Sequence, residues 1–155
     1  AVTASEPVQA ALAFLPLYEE KLLLVAGRRS PLATAKGKLT EADLMTAGWV
    51  SYDDDMPLVR TYLKALYGTT DVPRAHTTVH DLRIVKDLLI RGVGISVLHD
   101  YICEDALTDG DLVSLGKTTA APTNTLYLAW KRGALRHPRV VFARDHFLRA
   151  HTAER

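Results

Sequence analysis

The segment "DLRIVKDLLIRGVGISVLHD", residues 81–100, decides the fold because it orders a helix, a double-glycine turn and a strand. Its first half repeats apolar residues at helical spacing, which places one face of a helix on Leu82, Val85, Leu88 and Leu89. The apolar "GISVL" that follows predicts a short buried strand. We therefore expect Gly92 to end the helix in the left-handed conformation and Gly94 to open the strand.

The two glycines also have the spacing of a phosphate-binding loop. Such a loop leaves a strand and opens a helix, so that the N-terminus of the helix faces the anion. Here the helix comes first and leads into the strand. The order of the elements therefore favours a turn over a nucleotide-binding loop.

Short apolar strands and helices alternate on either side of this segment. Strands are predicted at "LLLVAG" (22–27), "WVSY" (49–52) and "AHTTV" (75–79). Helices are predicted at "TEADLMTAG" (40–48), with Thr40 as N-cap and Gly48 as C′ residue, and at "DDDMPLVRTYLKALYG" (53–68), with aspartate at its start and Gly68 at its end. This alternation is typical of βαβ units around a mostly parallel sheet, whose ligands bind at the carboxyl ends of the strands.

Length and composition limit the classes of protein. The chain has 155 residues, 48% of them hydrophobic, which is enough for one compact domain or parts of two small ones. It has 19 Lys and Arg against 18 Asp and Glu, so no overall field attracts nucleic acid or an anionic membrane. Its single cysteine, Cys103, cannot form an intrachain disulfide, and its apolar neighbours predict a packed thiol rather than a nucleophile. The sequence shows neither a membrane-spanning run nor a signal peptide, and its opening resembles the end of a strand that begins upstream.

Positive charge is local rather than global. Residues 131–155 contain seven Lys or Arg against two acidic residues. A terminal helix is predicted there, with Val140, Ala143, Phe147 and Ala150 on its packed face and Arg139, Arg149 and Arg155 in solvent. A solvated amphipathic helix is the favoured interpretation, and a DNA or lipid surface is the alternative.

Four stretches together resemble the effector-binding domain of LysR-type transcriptional regulators. They are "LYEEKLLLVAGRRSPLA" (17–33), "GWVSYDDD" (48–55), "VHDLRIVKDLLIRGVGISVLHDYICEDALTDGDLVSL" (79–115) and "LYLAWKRGALRHPRVVFARDHFL" (126–148). The resemblance covers nearly the whole chain, and residues 79–115 are its most specific part. Arg29-Ser30 replaces the usual basic or His residue before Pro31. Two further departures from the family pattern are His99, which stands where proline is common, and His80, which stands where a small polar N-cap is usual.

The resemblance implies an α/β fold of the periplasmic-binding-protein type II kind, with two subdomains, mostly parallel sheets and a ligand cleft between them. Subdomain I, incomplete, would comprise residues 1–21 and 117–155, and subdomain II residues 22–116. The family's winged helix-turn-helix, linker helix and opening strand-helix-strand would precede Ala1. The chain would then be the sensor part of a cytoplasmic regulator.

The resemblance also implies the partners. They are a small-molecule effector, a second or further copies of the chain in a homodimer or homotetramer, operator DNA through the preceding domain only, and RNA polymerase for the full-length protein. No membrane partner, cofactor, metal or catalytic residue is expected.

The candidate effector-binding residues are polar side chains placed mainly at strand ends: Thr3, Ser51, Tyr52, Asp53, Thr78, His80 and Ser96. Asp53, Asp54 and Asp55 also occupy helix-capping positions. Three carboxylates at one edge would favour a neutral or amine-bearing effector, unless an arginine offsets them.

Other site chemistries and other classes of protein stay open at this point. His76 and His80 could form a metal pair, although no Cys or third His lies nearby in the sequence. Ser51, His80 and Asp53 could form a triad, but the chain lacks a nucleophile elbow. The second function is a solute-binding protein of transport with the same fold, and the third is an enzyme on this scaffold.

Overall fold

The computed structural model describes residues 1–4, 6–34, 39–116 and 121–152. Its contacts divide the chain into two compact units. Unit 1 comprises Ala1–Glu20 and Thr123–Arg155, and unit 2 comprises Lys21–Pro122. One strand, β2 (Leu12–Gly27), contributes its first half to unit 1 and its second half to unit 2.

Unit 2 alternates helices and strands in the predicted order. After β2 come α1 (Pro31–Thr34), α2 (Glu41–Thr46), β3 (Trp49–Ser51), α3 (Pro57–Tyr67), β4 (Ala75–Thr78), α4 (Leu82–Ile90), β5 (Ile95–His99), α5 (Asp100–Thr108) and β6 (Leu112–Ser114). The sheet has the order β6-β2-β5-β3-β4.

The sheet of unit 2 is mixed. Strand β3 is parallel to both β4 and β5, whereas β2 is antiparallel to β5 and to β6. The sequence predicted mostly parallel pairing. Strand β2 does not follow this prediction. It enters unit 2 beside the last residue of β5, with Leu22 opposite His99, and therefore runs antiparallel to β5.

Alternating side chains of β2 point to two hydrophobic layers. Leu22, Leu24 and Ala26 pack with Trp49, Val59 and Leu63 beside α2 and α3. On the other face, Leu23 and Val25 pack with Val85, Leu89 and Cys103 of α4 and α5. The thiol of Cys103 is fully buried, and its burial raises its pKa to about 12, as expected for a packed rather than a nucleophilic cysteine.

The ends of the helices confirm several local predictions and correct one. Gly92 (φ 85°) and Gly68 (φ 69°) are left-handed, and Thr40 forms a capping box with Asp43. Gly48 follows the C-cap residue Ala47 and so occupies the predicted C′ position, but it lacks the positive φ typical of that position, because Ala47 is already extended. The N-cap of α3 is Met56, left-handed and 1% exposed, rather than an aspartate, because its side chain is buried in the core.

Unit 1 contains β1 (Val2–Thr3), the first half of β2, β7 (Thr123–Lys131), a 3₁₀ turn at Arg132–Arg136 and α6 (Pro138–Thr152). Strand β7 lies between β1 and β2, antiparallel to β1 with Thr3 opposite Tyr127. Phe14 of β2 packs edge-on against the ring of Tyr127 at 5.7 Å. The carboxylate of Glu20, which is 2% exposed, accepts a 2.7 Å hydrogen bond from the Asn124 amide.

The predicted packed face of α6 is wrong. Val140 is half-buried as expected, but Ala143, Phe147 and Ala150 are exposed, as is Phe142. Arg144 takes the inward side instead, with its guanidinium 6.0 Å from the Trp130 ring centroid and 2.7 Å from the Asp145 carboxylate. Arg139 and Arg149 are exposed, as predicted, and Arg155 lies outside the described residues.

Candidate functional site at the carboxyl edge of unit 2

Strands β3, β4 and β5 end at one edge of the sheet in unit 2, which we call the carboxyl edge (residues 51–53, 78–81 and 99–100). Ser51 pairs with Thr78, and the backbone N–H of Val79 donates to the Ser51 carbonyl at 2.9 Å. Helices α3, α4 and α5 all begin just beyond these strand ends. Residues with polar side chains at three strand ends therefore lie at the edge of the sheet where α/β sheets bind ligands.

The hydroxyl of Ser51 is used inside the turn that follows β3. It donates to the Asp53 carbonyl at 2.7 Å and accepts from the Asp53 N–H at 3.3 Å. The Asp53 carboxylate in turn accepts from the N–H of Asp55 at 2.9 Å. Ser51, 4% exposed, thus shapes the loop and leaves less of its hydrogen-bonding capacity for a ligand.

His80 is fixed to the loop after β3. Its Nδ1 lies 2.8 Å from the Tyr52 carbonyl oxygen. Because a carbonyl only accepts, Nδ1 must be the protonated nitrogen, and Nε2 of the exposed ring is left as an acceptor in the neutral imidazole. Burial and the nearby Asp53 carboxylate raise the pKa of the Tyr52 hydroxyl, so it stays a donor at neutral pH.

The structure brings together five of the seven candidate residues. Ser51, Tyr52, Asp53, Thr78 and His80 lie at the carboxyl edge, with the side chain of Thr78 half-buried. Ser96 lies inside β5 opposite Val25 and is 2% exposed. Thr3 lies in β1 of unit 1. The alternation of polar and apolar residues does not show how far along a strand a residue lies. It therefore could not separate Ser96 from the residues at strand ends.

Three further residues at the end of β5 and the start of α5, at or next to the carboxyl edge, were not among the candidates: His99, Asp100 and Tyr101. The ring of His99, the last residue of β5, stacks on the Tyr101 ring at 5.5 Å with an interplanar angle of 11°. Their position in the sequence could have identified them, because "HDY" directly follows the apolar stretch "ISVL" and so comes at the end of a predicted strand.

The aspartates after β3 have arginine neighbours. Asp54 and Asp55 line a cavity of about 360 Å³ together with Arg60, Arg74 and residues 72, 73 and 75. The guanidinium of Arg60 donates to the Asp55 carbonyl at 3.3 Å. The positive charge of these arginines offsets the acidic loop. The three aspartates therefore no longer argue for a neutral or amine-bearing ligand over an anionic one.

The hydrogen bonds at the carboxyl edge differ from those of a catalytic triad. His80 bonds the Tyr52 carbonyl rather than Asp53, and Ser51 donates to a backbone oxygen. Nor do the residues described by the structure contain a group of three or more His, Cys, Asp or Glu that could hold a metal ion. Hydrogen bonding of a small polar molecule is the chemistry that fits.

Asp81, the N-cap of α4, is expected to titrate with a pKa of about 2, because Arg83 holds its carboxylate with hydrogen bonds of 3.1 and 2.8 Å. Replacing Arg83 by Gln should raise the pKa of Asp81 toward its ordinary 3.8. Since the folded pKa is depressed, the stabilising effect is complete above about pH 4 and disappears as the pH falls through 2.

Carboxyl ¹³C NMR titration measures this pKa. Lys86→Gln is the matched control, because Lys86 lies on the same helix but pairs with Asp105 at 2.8 Å. A pKa of Asp81 that is unchanged in Arg83→Gln would contradict the assignment.

Comparison with known proteins identifies the family. The sequence model of the protein family described as "LysR substrate binding domain" matches residues 1–152. The chain belongs to this family. It is similar to the HTH-type transcriptional regulator AbaB of Streptomyces antibioticus, with 29% identity over 99% of this chain and 52% of that protein. The LysR domain described here thus spans about half the length of that curated relative.

Solved structures confirm the fold class. The CrgA regulator of Neisseria meningitidis superposes with a TM-score of 0.78 at 16% identity, over 96% of this chain and 51% of CrgA. The CcmR regulatory domain of Synechocystis, solved in complex with 2-PG, gives 0.74 at 18% identity, over 97% of this chain and 72% of that domain. The predicted α/β fold of the periplasmic-binding-protein type II kind is therefore correct. Among the described helices, none is long and apolar enough to cross a membrane.

Proposed function

We propose that this LysR domain is the ligand-sensing part of a cytoplasmic transcriptional regulator, and that the carboxyl edge of unit 2 contacts a small polar effector. The observation that supports it most is that Tyr52, Thr78 and His80 lie at the ends of adjacent paired strands, where His80 Nδ1 bonds the Tyr52 carbonyl. The relatives are named as HTH-type transcriptional regulators and activators, which favours a regulator over a solute-binding protein of transport.

Three groups would make the specific contacts. The Tyr52 hydroxyl donates, the Thr78 hydroxyl donates or accepts, and Nε2 of His80 accepts. The hydrogen bond from His80 Nδ1 to the Tyr52 carbonyl holds the imidazole in place before the ligand arrives, which lowers the entropy lost on binding. A ligand that bonds all three groups would hold together the loops that follow β3 and β4.

Such a domain transmits a signal when the effector binds one conformation better than another. In the full-length protein, a shift of this kind would change how a homodimer or homotetramer presents its DNA-binding domains to operator DNA and RNA polymerase. We assign no catalytic step and no cofactor to the chain.

A screen of small polar metabolites by thermal shift tests the proposal. A ligand present at 100 times its Kd stabilises the folded state by about 2.7 kcal/mol, which raises Tm by roughly 5–10 °C for a domain of this size. His80→Ala and Thr78→Val should each weaken the best metabolite about tenfold or more, because each removes a hydrogen-bonding partner.

His76→Ala is the matched control, because His76 is an exposed histidine near the start of β4, away from the carboxyl edge at which Thr78 and His80 lie. It should leave the affinity unchanged. A best metabolite that binds wild type, His80→Ala and Thr78→Val equally well would place the effector elsewhere, and a screen without any stabilising metabolite would count against ligand sensing.

A further inference from the structure

Positive charge is concentrated where β7 leads into α6. We call residues 131–139, "KRGALRHPR", the basic connector. It contains Lys131, Arg132, Arg136 and Arg139 together with His137, and no acidic residue. All five of these side chains are exposed. Four permanent charges within nine residues contrast with a net charge of +1 for the whole chain.

Internal ion pairs do not neutralise this charge. Ion pairs between described residues include those of Arg83, Lys86 and Arg144, which lie outside the connector. Lys131, Arg136 and Arg139 have no ion pair with any described residue. The first turn of α6 contains Arg139 and no acidic residue, so Arg139 also lies where the helix dipole is positive. A bound polyanion would relieve the mutual repulsion of these charges.

The basic connector is held in a defined shape. The backbone N–H of Arg132 donates to the Ala11 carbonyl at 3.0 Å, and its side-chain Nε donates to the Ala10 carbonyl at 2.9 Å. The connector then forms the 3₁₀ turn that ends at Arg136. Beside it is an open cavity of about 570 Å³ lined by residues 11, 131–134 and 137. Small side chains at Ala11, Gly133 and Ala134 leave room for a bulky ligand backbone to approach the cations.

We propose that the basic connector binds the sugar-phosphate backbone of duplex DNA. An acidic protein is the other class of polyanion, but protein interfaces depend on aromatic anchors at their centres. No residue of the connector is aromatic and Leu135 is half-buried, while the exposed Phe142 lies beyond the connector on α6. Exposed arginine and lysine side chains with no apolar anchor among them are suited to bind phosphates. Such contacts do not depend on the DNA sequence, and they release counterions. This contact would add to operator recognition by a separate DNA-binding domain.

Fluorescence anisotropy of the chain with a labelled duplex of about 30 bp and arbitrary sequence, at 20 to 200 mM KCl, tests this proposal. Each phosphate contact contributes about 0.9 to the slope of log K against log salt, so three cations give a slope contribution of about −2.7. The variant Lys131→Gln/Arg136→Gln/Arg139→Gln should lose that contribution and bind at least tenfold more weakly at 20 mM KCl.

The matched control is Arg28→Gln/Arg29→Gln/Arg91→Gln, which removes three exposed cations of unit 2. Both triple variants lower the net charge of the chain from +1 to −2. The control should keep most of the affinity and the slope. Circular dichroism checks that both variants fold, and Arg136→Gln alone, with a loss of about 0.9 in slope, replaces the triple variant if that one does not.

Equal weakening in the two variants, or no binding of duplex at 20 mM KCl, would overturn the proposal. Tighter binding of polyglutamate than of DNA would also overturn it, in favour of an acidic protein partner. The result is independent of effector sensing, since neither triple variant alters the carboxyl edge of unit 2.

Discussion

Replacing Trp49 by Ala is expected to lower the free energy of unfolding by about 3–5 kcal/mol. Trp49 is the largest fully buried side chain, at 0% exposure, and it begins the strand β3 between β4 and β5. Its indole N–H donates to the Leu44 carbonyl at 2.8 Å, which ties α2 to the sheet. The variant therefore leaves a cavity and also removes the shorter of two hydrogen bonds to the Leu44 carbonyl, which keeps only the Ala47 N–H at 3.4 Å.

Urea denaturation followed by far-UV circular dichroism measures this loss. Trp49→Phe is the matched variant, because it keeps most of the ring volume and removes the indole N–H. It should cost about 1–3 kcal/mol. If the Ala and Phe variants lose equal stability, cavity formation at this position contributes little and the packing argument fails.

Replacing Gly27 by Ala is expected to destabilise unit 2 by about 3 kcal/mol, at the upper end of overpacking costs. A methyl group at Gly27 would collide with the backbone carbonyl oxygen of Leu89. That oxygen belongs to the last turn of α4 and accepts the N–H of Gly92 at 2.8 Å, so it cannot move without loosening the end of the helix. Either β2 or α4 must shift away from the other.

Gly48→Ala is the control for this prediction. Its added methyl group meets no atom within 4 Å, and its backbone has no positive φ. Its stability should stay within about 0.5 kcal/mol of wild type. A loss in Gly27→Ala that is no larger than in Gly48→Ala would show that α4 does not pack as closely on β2 as described.

Local chemistry made much of unit 2 predictable. The helix over 82–90, the left-handed Gly92 and the strand that follows all depend on residue periodicity and on the freedom of glycine, which act within a few residues. The cap at Thr40 depends on Asp43 three residues later. The burial of Cys103 followed from the apolar residues beside it.

The missed features depend on neighbours distant in sequence. Asp53 caps a turn rather than α3, because the buried side chain of Met56 holds the N-cap position in the core. The inward face of α6 is set by the contact of Arg144 with Trp130, fourteen residues earlier. Periodicity assigns arginine to solvent and so cannot anticipate a guanidinium that packs on an aromatic ring.

The sequence by itself therefore determined the order of helices and strands, the family, and the strand ends at which polar residues gather. Only the tertiary structure decided how these residues are used. The pairing of β3 with β4 brings His80 to the Tyr52 carbonyl, 28 residues away, while the turn after β3 engages the hydroxyl of Ser51. Such hydrogen bonds depend on the register between strands, and the register is set by packing across the whole sheet rather than by any one segment.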